Sequence, residues 1–532
     1  MKHFESSPCQ EAAVVAAPEV DAPCTRRQEP WIIAATILGS SMAFVDGTVV
    51  NTALSALQRD LGASMGDLQW VVESYAVILA AGVLVGGALG DRFGRRRVFA
   101  LGVGLFGLAS AACGLAPDVV TLTISRGLQG LAGALLLPGS LAILGASFSR
   151  ERRGAAIGLW SSFSALSAGL GLVIGGWLID VASWRMIFFI NLPLAVATLL
   201  ITFAFVPESR DDEATGRVDA LGAGLVASGL GLVTFGFIEA NHAPFADLRV
   251  AGPLGAGTAL LVAFVAVEAR VPQPMLPLRL FDNRVFTGAN VLTLFLYAAL
   301  AAVMFFLPLN LIQAQGYTAT QAGAANLPLI ATLALLGRQA GTLVDRFGPR
   351  RPLLAGTSLA AVGMGMLAFA GLKNSYWTSF FPGILVLGLG MSLSAAPIST
   401  TVMGAVEGRH AGLASGVNNA TSRVAAVLSI AILGPITVAA FAASLGPRLA
   451  ALDLAPGVAS AMLAARADLA ALPIPDAVAG GLRETVDRLL KLAFVDAYRV
   501  AMLTCAASAG AAFVSALLLI REPAAKETHG EE

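Results

Sequence analysis

The segment GALGDRFGRRR, at residues 87–97, occurs a second time in the chain as GTLVDRFGPRR, at residues 341–351. Each copy has a glycine, three further residues, the sequence Asp-Arg-Phe-Gly and a basic end, and each follows a long apolar run. A repeat of this kind indicates that the chain is built from two related halves. Repeated bundles of apolar segments are typical of membrane transport proteins.

The composition places both halves in a membrane. Of the 532 residues, 56% are hydrophobic and only 13% are charged, whereas about a quarter of a soluble protein is charged. A helix needs roughly 20 apolar residues to cross a hydrocarbon core of ~30 Å, and these runs are too long for barrel strands. We predict an all-α membrane protein with fourteen transmembrane helices, at residues 31–56, 68–90, 98–115, 119–147, 154–180, 186–206, 218–239, 250–268, 285–311, 320–344, 352–371, 377–403, 412–440 and 498–520.

The position of the repeats divides the chain into domains. Eight predicted helices separate the two copies, whereas two six-helix halves would give a step of six. We therefore place the two extra helices between the halves. The predicted parts are a disordered cytoplasmic tail (1–30), an N-terminal six-helix bundle (31–206), two accessory transmembrane helices with linkers (207–284), a C-terminal six-helix bundle (285–520) and a cytoplasmic tail (521–532).

Basic residues predict the orientation. Arginine clusters fall on the side of the N-terminus, and the opposite short loops carry few, so both termini are expected in the cytoplasm and the protein in the cytoplasmic (inner) membrane. A long extracytoplasmic loop is expected at 441–497. Its segment RETVDRLLKLAFVDAY, at 483–498, has apolar residues at helical spacing and predicts an amphipathic helix. The loop either covers the bundle or docks a partner.

The repeated motif carries short-range chemistry. Its glycines permit tight turns, and Asp91 can accept hydrogen bonds from a helix N-terminus or pair with arginine. Two copies with the same spacing favour a cytoplasmic gate that forms in one state and breaks in another. The alternative is a positively charged anchor that only sets topology. The candidate gate residues are Gly87, Asp91, Arg92, Gly94, Arg95, Arg96, Asp345, Arg346 and Gly348.

Three ionisable residues in apolar helices share one depth. Counting about 1.5 Å per residue from the helix ends puts Asp46, Glu73 and Arg126 in one layer of the outer half. A charge in lipid is costly and normally has a function or a partner. We expect these residues to face a common water-accessible pocket and to couple proton binding to opening. The alternatives are a static Asp46–Arg126 pair and a solvated Glu73.

Other polar residues in apolar runs are candidates for a substrate cavity. These are Asn51, Asn418, Asn419, Arg423 and Glu239. An equally good interpretation of the two neighbouring asparagines is helix-packing hydrogen bonds. An apolar cavity with a few acidic groups would favour lipophilic cations.

Several motifs, in order, resemble those of the major facilitator superfamily, and more closely its fourteen-helix drug:proton antiporters, which include quaternary-ammonium-type multidrug exporters. They are FVDGTVVNTAL, LQWVVESYAV, GDRFGRRR, ISRGLQGLAGALLLPGSLA, SAGLGLVIGGWL, SWRMIFFINLPLA and GLASGVNNATSR. The resemblance implies two six-helix bundles plus two inserted helices, a proton relay at Arg126, and proton or cation handling at Asp46 and Glu73. It also makes Gly171, Gly175 and Gly176 the antiporter-motif glycines. The chain departs from the family pattern at Ser55 and Leu172, where proline is usual.

The expected function is proton-coupled export of amphiphilic drugs, biocides or metabolites by a monomer, with the proton gradient as energy source and no cofactor. A periplasmic adaptor and an outer-membrane channel are left open as partners, and a symporter or importer of a specific solute is the alternative. A non-transporting receptor using the long loop is a third possibility. No phosphate-binding loop, His-Glu-x-x-His or Gly-x-Ser-x-Gly motif occurs, so we do not expect an enzyme. Four scattered cysteines and a net charge of zero predict neither a metal site nor nucleic-acid binding.

Overall fold

The computed structural model describes residues 27–210, 219–271, 274, 276–372, 374–406, 411–452, 454, 457–478 and 480–520. Within these ranges the regular secondary structure is helical. Most of the predicted tails, 1–30 and 521–532, lies outside the described residues.

The N-terminal half consists of five long helices, a short one and a seventh of intermediate length. They are α1 (Glu29–Leu61), α2 (Met65–Phe93), α3 (Arg95–Leu115), α4 (Val119–Ser147), α5 (Arg150–Val181), α6 (Met186–Phe189) and α7 (Asn191–Phe205). The local sequence explains where they begin and end. Gly62 closes α1 with φ of 63°, and Ser64 and Asp67 form a capping box that starts α2.

Two accessory helices follow and form a hairpin. They are α8 (Ala220–Glu239) and α9 (Leu248–Glu268), capped by the side chains of Asp219 and Asp247. The two helices approach closely at glycines, since a Cβ atom on Gly257 would lie 2.8 Å from the carbonyl oxygen of Gly229. The hairpin packs against α2 of the N-terminal half and against a long helix of the other half.

The C-terminal half begins with α10 (Arg284–Leu309), which continues into a π-helical turn at Asn310–Ala314. The remaining helices are α11 (Ala319–Ala324), α12 (Leu327–Phe347), α13 (Arg350–Ala368), α14 (Tyr376–Ser379), α15 (Phe381–Gly404), α16 (Ala411–Ala450), α17 (Val458–Ala464) and α18 (Gly480–Leu519). Short 3₁₀ segments lie at Leu278–Asp282 and Arg466–Ala471. The accessory hairpin contacts α16.

The all-α, multi-pass membrane architecture is confirmed, but the count of fourteen spans is not. Twelve helices in the described part of the chain are long and apolar enough to cross a membrane. They become thirteen if Met65–Val83 and Val85–Phe93, which are bent by 50°, form one span. Helix α5 has 32 residues, and within its described residues the segment Leu166–Val181 is a shorter apolar helix.

The predicted loop at 441–497 is largely helical, and the helix predicted at 483–498 lies within α18. Helix α16 runs on to Ala450 and α18 already begins at Gly480. Alanine is the strongest helix former, so both helices continue beyond their apolar runs. The extensions are joined by an ion pair between Arg448 and Asp496 at 2.8 Å. Only 451–479 lies outside the two helices.

The two ends of the bundle are distinguished by their connections. Gln58, near the end of α1, donates to the carbonyl oxygen of Asp468, which lies between α16 and α18, at 3.0 Å. We call this the loop end. The beginning of α1 and the end of α18 therefore both lie at the other end, which we call the terminal end.

Helices α2 and α4 make the closest backbone contact of the N-terminal half. A Cβ atom on Gly86 would lie 2.8 Å from the carbonyl carbon of Ala134, and one on Gly130 would lie 3.1 Å from that of Tyr75. The first distance is shorter than real Cβ atoms show, and the second is tighter than nearly all real Cβ contacts. The contact brings α4, which carries Arg126, directly against the helix that carries Glu73.

We expect Gly86→Ala to lower the free energy of unfolding by about 2 kcal/mol, because the added methyl group forces these two backbones apart. The check is thermal unfolding of the purified protein in detergent. Gly104→Ala is the matched control, since a Cβ atom there meets nothing within 4 Å and alanine is the better helix former. Equal melting temperatures for the two variants would contradict the packing argument.

Candidate functional site

The centre of the N-terminal half contains a buried ion pair between Asp46 of α1 and Arg126 of α4. The side chains are 0% and 1% exposed, respectively. Arg126 Nε also donates to the carbonyl oxygen of Val71 at 3.1 Å, and Nη1 donates to Gln129 Oε1 at 2.8 Å. The guanidinium carbon lies 4.4 Å from the ring centroid of Tyr75, within cation–π range.

The second oxygen of Asp46 is held by amide groups. Gln129 Nε2 donates to Asp46 Oδ1 at 2.8 Å and Asn191 Nδ2 donates to it at 3.4 Å. Both amides also donate to Ser110 Oγ, at 2.7 and 3.2 Å. The network thus joins α1, α3, α4 and α7, and every polar side chain in it is buried. A charged pair away from water needs this degree of hydrogen bonding to be tolerated.

Sequence reasoning found the ion pair but missed its partners. Gln129 could have been found, because it lies three residues after Arg126 and so on the same face of one helix. Ser110 and Asn191 gave only the weak signal of single polar residues in apolar runs. The expectation that Asp46 faces a water-accessible pocket is wrong in this conformation, because the side chain is completely buried and lies behind Arg126 and Tyr75.

A cavity of about 330 Å³ lies between the two halves. Helices α1, α2, α4 and α5 form its wall on one side, and α10 and α16 form it on the other. The wall is mainly apolar. Its polar side chains are Thr48, Asn51, Glu73, Tyr75, Arg126, Tyr297, Ser422 and Arg423. A mostly apolar cavity of this size with a few polar groups is typical of a site for a small organic ligand.

Glu73 is the unusual group in this wall. Its side chain is 0% exposed, and neither carboxylate oxygen has a hydrogen-bond partner within the described part of the chain. Buried polar groups are nearly always hydrogen-bonded, so this carboxylate is open to a proton or to a donor group of a ligand. Glu73 therefore differs from Asp46, whose two oxygens both accept hydrogen bonds.

The predicted cavity residues divide into two groups. Asn51 and Arg423 line the cavity, from α1 and α16 respectively. Asn418 does not, because its amide donates to Asn290 Oδ1 at 3.2 Å and to Thr293 Oγ1 at 2.7 Å, which is the helix-packing alternative. Asn419 is exposed and also lies outside this cavity.

Glu239 is not a cavity residue either. It is the last residue of α8, at the loop end, and its carbonyl oxygen accepts hydrogen bonds from the backbone of the following turn. The sequence alone did not show which face of α8 Glu239 would occupy.

The first copy of the repeated motif forms a tight turn at the terminal end. Gly94 has φ of 107°, which side chains rarely tolerate, and Arg95 Nε donates to Asp91 Oδ1 at 2.8 Å. The backbone N–H of Arg96 donates to Glu208, just after α7, at 3.0 Å. These contacts stay within the N-terminal half. A latch between the halves remains a prediction.

The other predicted gate residues also lie at or near the ends of helices at the terminal end. Gly87 lies on α2 with Pro138 of α4 beside it, and Arg92 is followed by Phe93, whose ring centroid is 5.4 Å from the guanidinium carbon. In the second copy, Arg346 lies in the last turn of α12 and Gly348 ends that helix with φ of 70°. The side chain of Asp345 lies outside the described part of the structure.

The antiporter-motif glycines lie where α5 contacts its neighbours most closely. A Cβ atom on Gly171 would lie 3.1 Å from Val45, and one on Gly175 would overlap Val49, both on α1. A Cβ atom on Gly176 would lie 2.6 Å from the carbonyl carbon of Ala319 on α11. The absence of side chains at these positions lets α5 contact both halves.

Polar contacts join the halves at the loop end. The Asp180 carboxylate accepts hydrogen bonds from the backbone N–H groups of Ala319 and Thr320, at 3.0 and 2.8 Å. Gln313 Nε2 donates to Gln58 Oε1 at 2.8 Å. Gln69 Nε2 donates to the carbonyl oxygen of Ile430 at 2.6 Å. The loop end is therefore closed over the central cavity.

The structure has two related helical halves around a central cavity and a charge network buried at membrane depth. This fold and this site are those of a secondary transporter. The chain belongs to the major facilitator superfamily, because the model of that family matches residues 36–430.

The relatives found by sequence are drug-resistance proteins. The chain is 34% identical over 424 residues to a multidrug resistance protein, Stp, of Mycobacterium tuberculosis, covering 80% of this chain and 78% of that protein. It is 32% identical to the tetracenomycin C resistance and export protein of Streptomyces glaucescens, covering 77% and 76%. It is 34% identical to the puromycin resistance protein of Streptomyces alboniger, covering 78% and 83%.

Solved structures share the fold. A bacterial homologue of the human lysosomal transporter Spinster superimposes with a TM-score of 0.67 at 16% identity, covering 94% of this chain and 100% of that chain. The xylose transporter XylE of E. coli gives a TM-score of 0.52 at 15% identity, covering 76% and 92%. These neighbours are transporters and not enzymes.

We expect Arg126→Gln to lower the free energy of unfolding by about 4 kcal/mol, because Asp46 loses the buried cation that compensates its charge. The double variant Asp46→Asn/Arg126→Gln should lose less than the sum of the two single variants. Chemical unfolding of the purified proteins measures this coupling.

The matched control is Asp91→Asn/Arg95→Gln, since that pair is partly exposed and should show a coupling of about 0.5 kcal/mol or less. Additive losses at Asp46 and Arg126 would show that burial does not strengthen this pair.

Proposed function

We propose that the chain is a proton-coupled secondary active exporter of amphiphilic drugs, biocides or metabolites, working by alternating access as a monomer. Membership of the major facilitator superfamily and the similarity to drug-resistance and export proteins support this function. The proton gradient supplies the energy, with no cofactor. Import or symport of a specific solute is the alternative.

The proposed topology has fourteen spans. The bent helix α2 and the 32-residue helix α5 complete the twelve apolar helices, which gives two six-helix halves and the accessory hairpin. The terminal end carries the arginines of both repeats, which supports a cytoplasmic location for that end and for both termini, in the cytoplasmic membrane. A periplasmic adaptor or outer-membrane channel is not required by this proposal.

The described conformation corresponds to the inward-facing state in this proposal. Asp180, Gln58 and Gln69 close the loop end, which would face outward. Cargo enters from the cytoplasm or the inner leaflet. Opening outward requires these contacts to break and the terminal end to close. The loops of the repeated motif lie at the terminal end and would make the closing contacts.

The observation that carries the proton coupling is the buried carboxylate of Glu73, which has no donor and lies in the wall of the central cavity. It needs either a proton or a cationic group of the cargo, and it cannot hold both. A proton arriving from outside displaces the cargo there, and loss of that proton to the cytoplasm restores the site. Asp46 and Arg126 participate because protonation of Asp46 would free Arg126, which also lines the cavity.

The direct test uses inverted membrane vesicles with an acidified lumen and a cationic fluorescent dye outside. An exporter takes the dye into the lumen in exchange for protons, and a protonophore abolishes the uptake. We expect Glu73→Gln to reduce this gradient-driven uptake at least about tenfold, since the exchangeable proton site is gone.

The matched control is Glu484→Gln, an exposed acid near the beginning of α18, which should behave as the wild type. Normal gradient-driven uptake by Glu73→Gln would remove Glu73 from the coupling mechanism. Loss of dye, together with protons, from vesicles preloaded with both would favour the symporter alternative.

A further inference from the structure

The central cavity contains a base as well as an acid. Arg423 of α16 lines the same cavity as Glu73 of α2. Neither Glu73 oxygen has a hydrogen-bond partner in the described part of the chain, and the ion pairs found there do not join Glu73 to Arg423. The wall thus offers two opposite charges, one on each half of the molecule.

The third charge in the wall is already neutralised. Arg126 lines the cavity, but it is paired with Asp46 and donates to Gln129 and to Val71. The charges open to a ligand are therefore the Glu73 carboxylate and the Arg423 guanidinium. An arginine is always protonated and can bind a carboxylate through two parallel hydrogen bonds.

A purely cationic cargo fits this wall poorly. Its positive group would satisfy Glu73, but Arg423 would repel it and would stay without an acceptor in a mainly apolar cavity. A purely anionic cargo would satisfy Arg423 and be repelled by Glu73. Only a ligand with both charges leaves neither side chain unpaired.

The rest of the wall suits the body of such a molecule. Phe44, Tyr75 and Tyr297 provide aromatic surface, and Met304 and Leu79 provide aliphatic surface. Asn51 Oδ1 is buried without a donor, so it can accept one more hydrogen bond. These groups complement a ring system with polar substituents.

Resting on the export function proposed above, we propose that the cargo is zwitterionic: a flat, ring-containing molecule whose ammonium group pairs with Glu73 and whose acidic group pairs with Arg423. Because these residues belong to different halves, the bound cargo links the halves through its own two charges. Protonation of Glu73 breaks one of these links and leaves the cargo held by Arg423 alone.

A matched pair of dyes tests this inference by direct binding. A rhodamine methyl ester is a cation, and the corresponding free acid is a zwitterion with the same ring system. Fluorescence anisotropy with purified protein in lipid nanodiscs, at mildly alkaline pH, gives the two Kd values. We expect the wild type to bind the free acid at least about tenfold more tightly than the ester, which is the usual scale of a charge-assisted pair.

Three variants assign the preference to its source. Arg423→Gln should bring the ratio of the two Kd values close to one, because the acid loses its partner and the ester is no longer repelled, and Arg423→Lys should keep part of the preference. Glu73→Gln should weaken both dyes by a similar factor, because both carry the cationic group. Arg448→Gln is the matched control on the same helix, since that arginine pairs with Asp496 outside the cavity.

The inference is overturned if the wild type binds the ester as well as the acid, or if Arg423→Gln leaves the ratio unchanged. Uptake of the same dyes into inverted vesicles separates this failure from failure of the export function. Gradient-driven uptake of the ester without preferential binding of the acid would support export and overturn the zwitterion. Preferential binding of the acid without uptake of either dye would support the zwitterion site and overturn export.

Discussion

The structure depends on one costly interaction, the ion pair between Asp46 and Arg126 at membrane depth. Taking two charges out of water costs several kcal/mol per ion even in a protein interior, so the pair persists only where other groups complete its hydrogen bonds. Gln129, Asn191, Ser110 and the carbonyl oxygen of Val71 do so. Because the pair and these groups together come from five helices, satisfying the pair also fixes the arrangement of the N-terminal half. That half can then move as one body against the other.

The charges of the molecule fall into two sets with different consequences. Those inside the N-terminal half are fully paired and stabilise one packing. Glu73 and Arg423, in the wall of the central cavity, belong to different halves, and the Glu73 carboxylate has no hydrogen-bond partner in the described part of the chain. Unpaired buried charge is energetically unfavourable and is retained where it binds something. The cavity is therefore the place where a proton or a ligand changes the balance between the two orientations of the halves.

Particular residues show how far the sequence predicts this structure. The repeat at 87–97 and 341–351 predicted two halves, and counting residues from the helix ends predicted that Asp46 and Arg126 share a level. Depth, however, does not give the rotation of a helix, so Asn418 was placed in the cavity although it faces Asn290. Hydropathy locates apolar runs but not helix ends, so the extension of α16 was missed, whereas helical spacing predicted a helix at 483–498, which is the extension of α18. The partners of Asp46 depend on contacts between distant segments that a single sequence does not show.

Those extensions give the C-terminal half a shape of its own. Helices α16 and α18 each have 40 residues, or about 60 Å at 1.5 Å per residue, roughly twice the thickness of a ~30 Å hydrocarbon core. The Arg448–Asp496 pair clamps them together beyond the apolar runs, and the connecting segment reaches Gln58 on the opposite half. The two helices form one rigid unit that extends well beyond the bilayer. A tilt of a few degrees at the cavity displaces the outer ends of these helices by several ångströms. A rigid molecule bound to those outer ends would therefore prevent the two halves from moving relative to each other.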